Sequence, residues 1–552
     1  MAKYIKLYFF VIILFSFHFV YSQSIKNEKK YFNNPILPGF YPDPSLCRVG
    51  DDYYMVNSSF EWFPGVPIHY SKDLVNWKPI GYVLDRPSQL TFKPNMKASA
   101  GIWAPTIRYN NGVFYVIVTC RQCKNDCNCG DNFMVTATNP AGPWSEPVWI
   151  DASVGIDPSL YFEDDGTVWY TGGTGGAKQP ENGGPEKWPA EHRIYIQQLD
   201  IKTGKLFGER TILTSGHANN AKYAEGPHIY KKNNKYVLLI GEGGTWRNHA
   251  VTAFTSNKLT GPYIANQENP VLTHRHLGDK VDISTTGHAD IVETQNGESW
   301  AMLLGVRDST GYNQLGRETF LTKVDWQGSN PIFNKGIGRV LMKDVKPKLT
   351  EYQVSKKSFR DEFDGEKLDF QWNFLRTPLT VFHDLKSIKG SLVINLKPET
   401  VKENVNPALI ARRIQHFDFT ANTKLTFKTK HENEVAGLVL IQNDSSHYRV
   451  EKNSKHITLY KMSKKGKEQI LSVVEFENEE VVLSCKVKGF NIDFYYGTDL
   501  KTMKPLALKQ DTKVLTSNVA GGFTGPYIGM YASSNGVVSS NKAVFHWFEY
   551  KY

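Results

Sequence analysis

Tyr41-Pro42-Asp43-Pro44-Ser45-Leu46 is followed along the chain by four variants of itself: Trp103-Ala104-Pro105-Thr106-Ile107, Gly155-Ile156-Asp157-Pro158-Ser159-Leu160, Ala224-Glu225-Gly226-Pro227-His228-Ile229 and Gly287-His288-Ala289-Asp290-Ile291. Aligned on Pro44, Pro105, Pro158, Pro227 and Ala289, the signatures recur at intervals of 53 to 69 residues. A Tyr/Trp-rich strand pair follows each one, so the repeat reads as a propeller blade and not as a helical solenoid. In a propeller the innermost strand of every blade starts near the central axis. Three signatures carry a carboxylate at that start, so Asp43, Asp157 and Glu225 are expected to meet there at equivalent repeat positions, although they lie far apart in sequence.

The second strand of each blade is legible from the turn before it. Gly50-Asp51, Asn111-Gly112, Asp165-Gly166, Asn233-Asn234 and Asn296-Gly297 are hairpin turns. Strand one leaves the face on which it starts and strand two returns to it. Loops between strands two and three therefore lie on the face of the acids: 58–67, 121–131, 172–191, 242–249 and 307–316. They bring Phe60, Trp62, Trp188, Trp246 and Tyr312 to that face, together with three clustered cysteines. An aromatic rim around clustered acids suits a sugar, whose C–H faces pack on aromatic rings.

Aromatics reach 13 % of the chain while the whole hydrophobic set is a modest 40 %, so many aromatics serve surfaces as well as the core. Frequent glycine turns and the lack of heptads make the chain mostly β. The net charge of +10 is spread along the sequence, and runs such as Lys464-Lys465-Gly466-Lys467 read as solvated turns, which argues against a nucleic-acid partner. Residues 1–22 read as a signal peptide: basic Lys3 and Lys6, apolar Leu7 to Val20, then Ser22 before a cut at Gln23. The apolar run is short for a membrane span of about twenty residues, and no cysteine follows the cut to carry a lipid. The mature chain is expected to be exported, to the periplasm or beyond, without membrane insertion. Cys120, Cys123, Cys127 and Cys129 form a cluster suited to two local disulfides in an oxidising compartment, with a metal such as zinc or free thiols the alternatives; the pairing is open. Cys47 and Cys485 read as buried free thiols.

Residues 23–340 thus form a five-bladed β-propeller, 341–355 a Lys-rich linker, and 356–552 a second all-β domain, a β-sandwich of short strands opened by Phe359-Arg360-Asp361-Glu362-Phe363-Asp364-Gly365. Asp361 and Asp364 are candidate ligands for a structural calcium ion.

The ordered set Asn34 to Ser45, Ser59 to Pro67, Gly101 to Pro105, Glu225 to His228, Gly287 to Thr294 and Leu315 to Thr319, with Arg412-Arg413 and Gly522 to Tyr527, resembles glycoside hydrolase family 43. It is most similar to the family's two-domain β-xylosidases and α-L-arabinofuranosidases. The resemblance implies a five-bladed propeller, a C-terminal concanavalin-like jelly roll and hydrolysis of terminal pentosides with inversion. It implies Asp43 as general base, Asp157 as the carboxylate that orients and tunes the acid, and Glu225 as general acid. It further implies Phe60, Trp62, Trp103, His288, Arg317 and Phe523 as sugar-contacting residues. Phe523 would reach in from the sandwich and make the enzyme exo-acting. His288 would lie at the axis, able to hold water or a calcium ion; no cofactor is required.

The chemistry asks for the same residue types: one carboxylate to activate water, a protonated one to donate to the leaving oxygen, and a third to raise the donor's pKa. The expected activity is removal of terminal α-L-arabinofuranosyl or β-D-xylosyl units from xylan, arabinoxylan or their fragments, with the decorated loop rim favouring arabinofuranoside. A non-catalytic sugar-binding protein of a glycan-uptake system, a propeller scaffold for protein partners and a retaining enzyme with closer carboxylates are the competing possibilities. Two loops depart from the family pattern: cysteine-rich 121–131 and short 307–316.

Overall fold

Asn111-Gly112 and Asn233-Asn234 hold positive φ at both turn residues, the backbone that a two-residue hairpin needs. Such hairpins assemble five antiparallel sheets, seen in a computed structural model that describes residues 30–123, 131–175, 185–278, 280–309, 311–354, 358–464 and 466–552. Each sheet is one blade of a propeller. The inner strands are Ser45–Val49, Gly101–Asn110, Ile156–Phe162, Glu225–Lys232 and Ser284–Glu293, and each pairs with the strand that follows it. The signal segment 1–22, Cys127 and Cys129 lie outside the described residues.

The inner strands of blades 2 to 5 break register at their start, and in blade 1 the same shift lies just before the strand, where the Ser58 N–H donates to the Pro42 carbonyl at 3.2 Å. Ser45, Pro105, Ser159, His228 and Asp290 face Val56, Val118, Thr171, Leu239 and Met302 across their hairpins. Immediately before each, two residues stand against one, as in a β-bulge. The pairs are 43–44, 103–104, 157–158, 226–227 and 288–289. Asp43, Asp157, Gly226 and His288 take positive φ there, between 51° and 58°. The bulge re-aims the first side chain of the strand toward the axis.

This register corrects the repeat as aligned on prolines. Pro105 stands one place later than Pro44, Pro158 and Pro227. Asp43 and Asp157 are equivalent, but Glu225 precedes its bulge by one residue, because the bulge position in blade 4 is Gly226. A side chain at Gly226 would meet the His288 ring at 2.9 Å, so the acid of that blade occupies the neighbouring place.

Among the described residues no strand is exchanged to close the ring. Instead Tyr31–Asn33 pairs with Lys343–Val345, so the stretch expected to be a linker includes a closure strand. Its Lys-rich composition hid the pairing, since this short strand needs only backbone groups. Asn34 completes the closure. Its buried side chain donates to the carbonyls of Leu321 (2.9 Å) and Leu341 (2.8 Å) and accepts from the N–H of Leu321 (2.9 Å).

The sandwich comprises two eight-stranded sheets. One of them ends on Trp62–Phe63, a strand lent by the blade 1 loop, which pairs with Asn373–Leu375. The domains are thus stitched by a shared sheet. Arg413 strengthens the seam: it donates to the Phe40 carbonyl (2.7 Å) and to Asn373 Oδ1 (2.9 Å) and lies over the ring of Tyr41. Replacing Asn34 by Ala leaves three buried backbone groups unpaired, which costs about 2–3 kcal/mol. The Asn34→Ala chain is expected to show a lower urea midpoint for propeller unfolding, and an unchanged midpoint would contradict this closure.

Candidate active site

A cavity of about 190 Å3 opens on the bulged ends of the inner strands, and Asp43, Asp157 and Glu225 all line it. Asp43 is 4 % exposed. Its Oδ1 accepts from Arg317 Nη1 at 2.7 Å, and its Oδ2 from Ser58 Oγ at 2.6 Å. Pairing with a guanidinium suits a charged carboxylate. Asp157 is 7 % exposed. Its Oδ2 accepts from the N–H of Gly226 at 3.1 Å, and its own N–H donates to Thr119 Oγ1. Asp157 therefore fixes the backbone next to Glu225.

Burial, then the carboxylates of Asp157 and Asp43, hold the Glu225 carboxyl well above the ordinary carboxylate range, against a smaller pull from Arg317. Burial also raises Asp157, to about 6, with His288 and the Gly226 N–H opposing. Crowding carboxylates into a site with little water favours the protonated form. His249 Nε2 approaches Glu225 Oε1 at 3.7 Å. Burial lowers His249 to about 3, so the imidazole is neutral and the contact is not an ion pair.

The walls come from several blades and from the sandwich. Arg317 also donates to Thr245 Oγ1 (3.0 Å) and to the Phe523 carbonyl (3.4 Å). Glu318, next along the chain, pairs instead with Arg307 at 2.7 Å. Phe60 is bridged to Ile102 by backbone hydrogen bonds of 2.8 and 3.0 Å. That sets its ring 6.2 Å from Trp103 and 6.4 Å from Phe523. A Cβ at Gly101 would fall 2.3 Å from the Phe60 carbonyl oxygen, so this approach requires glycine. Phe523 reaches in from the sandwich, its N–H held by Ser99 Oγ at 2.9 Å. Phe60, Trp103, His288, Arg317 and Phe523 all line the cavity.

Trp62 does not. It is 1 % exposed and stacks on Tyr527 with ring centroids 3.6 Å apart. Its place in the strand shared with the sandwich turns it into the domain seam. Trp188 and Tyr312 from the expected rim also stand outside the lining; Trp188 donates to the Ala221 carbonyl and Tyr312 packs on Phe490.

Two residues further along the strands, the axis is filled by protein. Asp290 accepts from Ser45 Oγ (2.7 Å), Arg108 Nη1 (2.8 Å) and Tyr230 Oη (2.6 Å), while Arg108 Nη2 lies 2.9 Å from His228 Nδ1. Arg108 thus supplies beside Asp290 the positive charge that a bound cation would bring. Among the described residues no group of three or more His, Cys, Asp or Glu side chains is placed to hold a metal. The Asp361 oxygens accept from Phe363 N–H and Trp372 Nε1. Cys120 is joined to Cys123, while Cys47 and Cys485 are buried and free.

Arg121, His192, Tyr223, Thr245 and His249 line the cavity without having been singled out from the sequence. Thr245 lies in Gly243-Gly244-Thr245-Trp246, a loop between strands two and three, where the face rule could have found it.

A buried pocket walled by aromatics and an arginine around three carboxylates has the build of a glycosidase site. The comparisons agree. Residues 32–330 match the model for glycosyl hydrolases family 43, and 360–551 the model for a beta xylosidase C-terminal concanavalin A-like domain. A xylosidase/arabinosidase of Butyrivibrio fibrisolvens is 38 % identical, over 94 % of this chain and 98 % of its own. A non-reducing end alpha-L-arabinofuranosidase of Bacteroides ovatus is 36 % identical, over 96 % of each chain. The solved xylan beta-1,4-xylosidase from Bacillus halodurans superposes with a TM-score of 0.87 at 33 % identity, covering 94 % of this chain and 100 % of that one. The chain belongs to glycoside hydrolase family 43.

Asp157→Asn removes a negative charge that opposes ionisation of Glu225. The Glu225 pKa should fall, and the alkaline limb of kcat/KM should move to lower pH. A limb that stays put or moves upward would contradict the coupling.

Proposed function

We propose that the protein is an exo-acting, inverting glycosidase that removes terminal α-L-arabinofuranosyl or β-D-xylosyl residues from arabinoxylan, xylan or their oligosaccharides. The observation that carries this is the unequal treatment of two carboxylates in one cavity. Asp43 is ion-paired with Arg317, whereas Glu225 is held protonated by burial and its neighbours.

In the reaction Asp43 takes a proton from water, whose oxygen attacks the anomeric carbon. The glycosidic C–O bond breaks, and Glu225 gives its proton to the departing oxygen. Asp157 positions Glu225 through the Gly226 N–H and raises its pKa. Phe60, Trp103 and Phe523 pack against the C–H faces of the sugar, and Arg317 contacts its hydroxyls. Phe523 belongs to the second domain and caps one side of the pocket, which favours a chain end over an internal unit. The two sugars present similar hydroxyls, and one relative is named for both activities. Arabinofuranoside is expected to be the faster nitrophenyl substrate. Export, to the periplasm or outside the cell, is part of the same proposal and rests on the basic and apolar segment through Val20.

Glu225→Ala tests the assignment. Without a proton donor, oligosaccharides with poor leaving groups should slow by at least about 100-fold. Activated aryl glycosides should slow far less. Equal losses on both would remove Glu225 as the acid.

A further inference from the structure

The arginines at and beneath the cavity floor are paired with protein groups. Arg317 has Asp43, Thr245 and the Phe523 carbonyl. Arg108 has Asp290, His228 and the Ile107 carbonyl. Arg121 differs. It ends the second strand of blade 2, on the face of the acids, and lines the same cavity. Its guanidinium lies 4.6 Å from the Trp103 ring centroid, and among the described residues it forms no hydrogen bond or ion pair. Burial lowers its pKa, and among the described residues no carboxylate offsets that. The acids of the site belong to blades 1, 3 and 4, and Asp43 is already committed to Arg317.

A half-buried guanidinium without an anion loses hydration and recovers only the face of an indole. The missing group is a ligand for a planar, five-donor fork, for which a carboxylate is the best match. Trp103 holds the fork in place and is itself fixed by its indole N–H to the Ser99 carbonyl at 3.1 Å. The Cys120–Cys123 link adjoins the same residue. The net charge of +10 favours an anionic glycan over the protein as a whole.

We propose that Arg121 is a binding site for a carboxylate on the substrate, carried by a sugar acid attached to the unit next to the scissile bond. This rests on the proposed function and names its substrate class more narrowly: acidic branched fragments, with the uronic acid seated on Arg121 at the rim while the terminal pentose fills the pocket. Arg121 would set specificity and take no part in proton transfer.

The test uses two oligosaccharides with the same cleavable terminal pentose, one with a bare acceptor sugar and one whose acceptor sugar carries glucuronic acid. For the full-length enzyme the quantity read is the acidic-to-neutral ratio of kcat/KM. Arg121→Gln should lower that ratio at least about tenfold, chiefly through KM, the scale of losing a charge-assisted bidentate contact. Arg121→Lys, which keeps the charge without the fork, should recover part of it. An unchanged ratio in Arg121→Gln overturns the proposal, and so does a wild type that cleaves the neutral compound but not the acidic one. If the wild type cleaves neither compound and no aryl pentoside, the proposed function falls and this inference with it.

Discussion

Three carboxylates are crowded into a pocket with little water, and the site depends on their not sharing one charge state. Like charges at such a spot cannot all be ionised cheaply. The chain resolves the conflict with partners of different strength. A guanidinium is placed against Asp43. Asp157 receives one backbone N–H and Glu225 only a neutral histidine. The acids therefore separate in proton affinity before any substrate arrives, which is what acid–base hydrolysis at one carbon requires.

That separation depends on closure. Burial is the largest cause of the raised pKa at both Asp157 and Glu225, and Phe523 of the sandwich lines the cavity they share. Phe523 crosses from one domain to the other, held by Ser99 of the propeller and touching Arg317 through its carbonyl. The strand Trp62–Phe63 leaves blade 1 to extend the sandwich sheet. The second domain is thereby coupled to the electrostatics of the first. Loosening the seam would admit water and bring the Glu225 carboxyl back toward its ordinary range without touching it.

The fold and the acids were legible because each signature joins a strand start to a turn, and strand direction then fixes the face. Where the sequence misled, long-range geometry was responsible. Trp62 carries the composition of a pocket aromatic, but its neighbour Asn373–Leu375 lies some three hundred residues away. Pro105 matched the other prolines in composition while standing one place later, because a bulge leaves no mark in residue type. Arg121 and His249 acquire meaning only from what surrounds them. Arg121 is notable for having no counter-ion among the described residues and His249 for a burial that keeps it neutral; no motif encodes either. The closure strand Lys343–Val345 was hidden by its lysines, which point to a solvated linker although the backbone pairs with Tyr31–Asn33.

The central claim is that Asp43 and Glu225 act from opposite sides of the sugar, with a water between base and anomeric carbon, the arrangement in which carboxyls stand about 6.5–9.5 Å apart. Proton NMR of the first product, read before mutarotation, tests it most directly. The account predicts β-L-arabinofuranose from an α-L-arabinofuranoside, or α-D-xylose from a β-D-xyloside. Release of the sugar with its original anomeric configuration would contradict it.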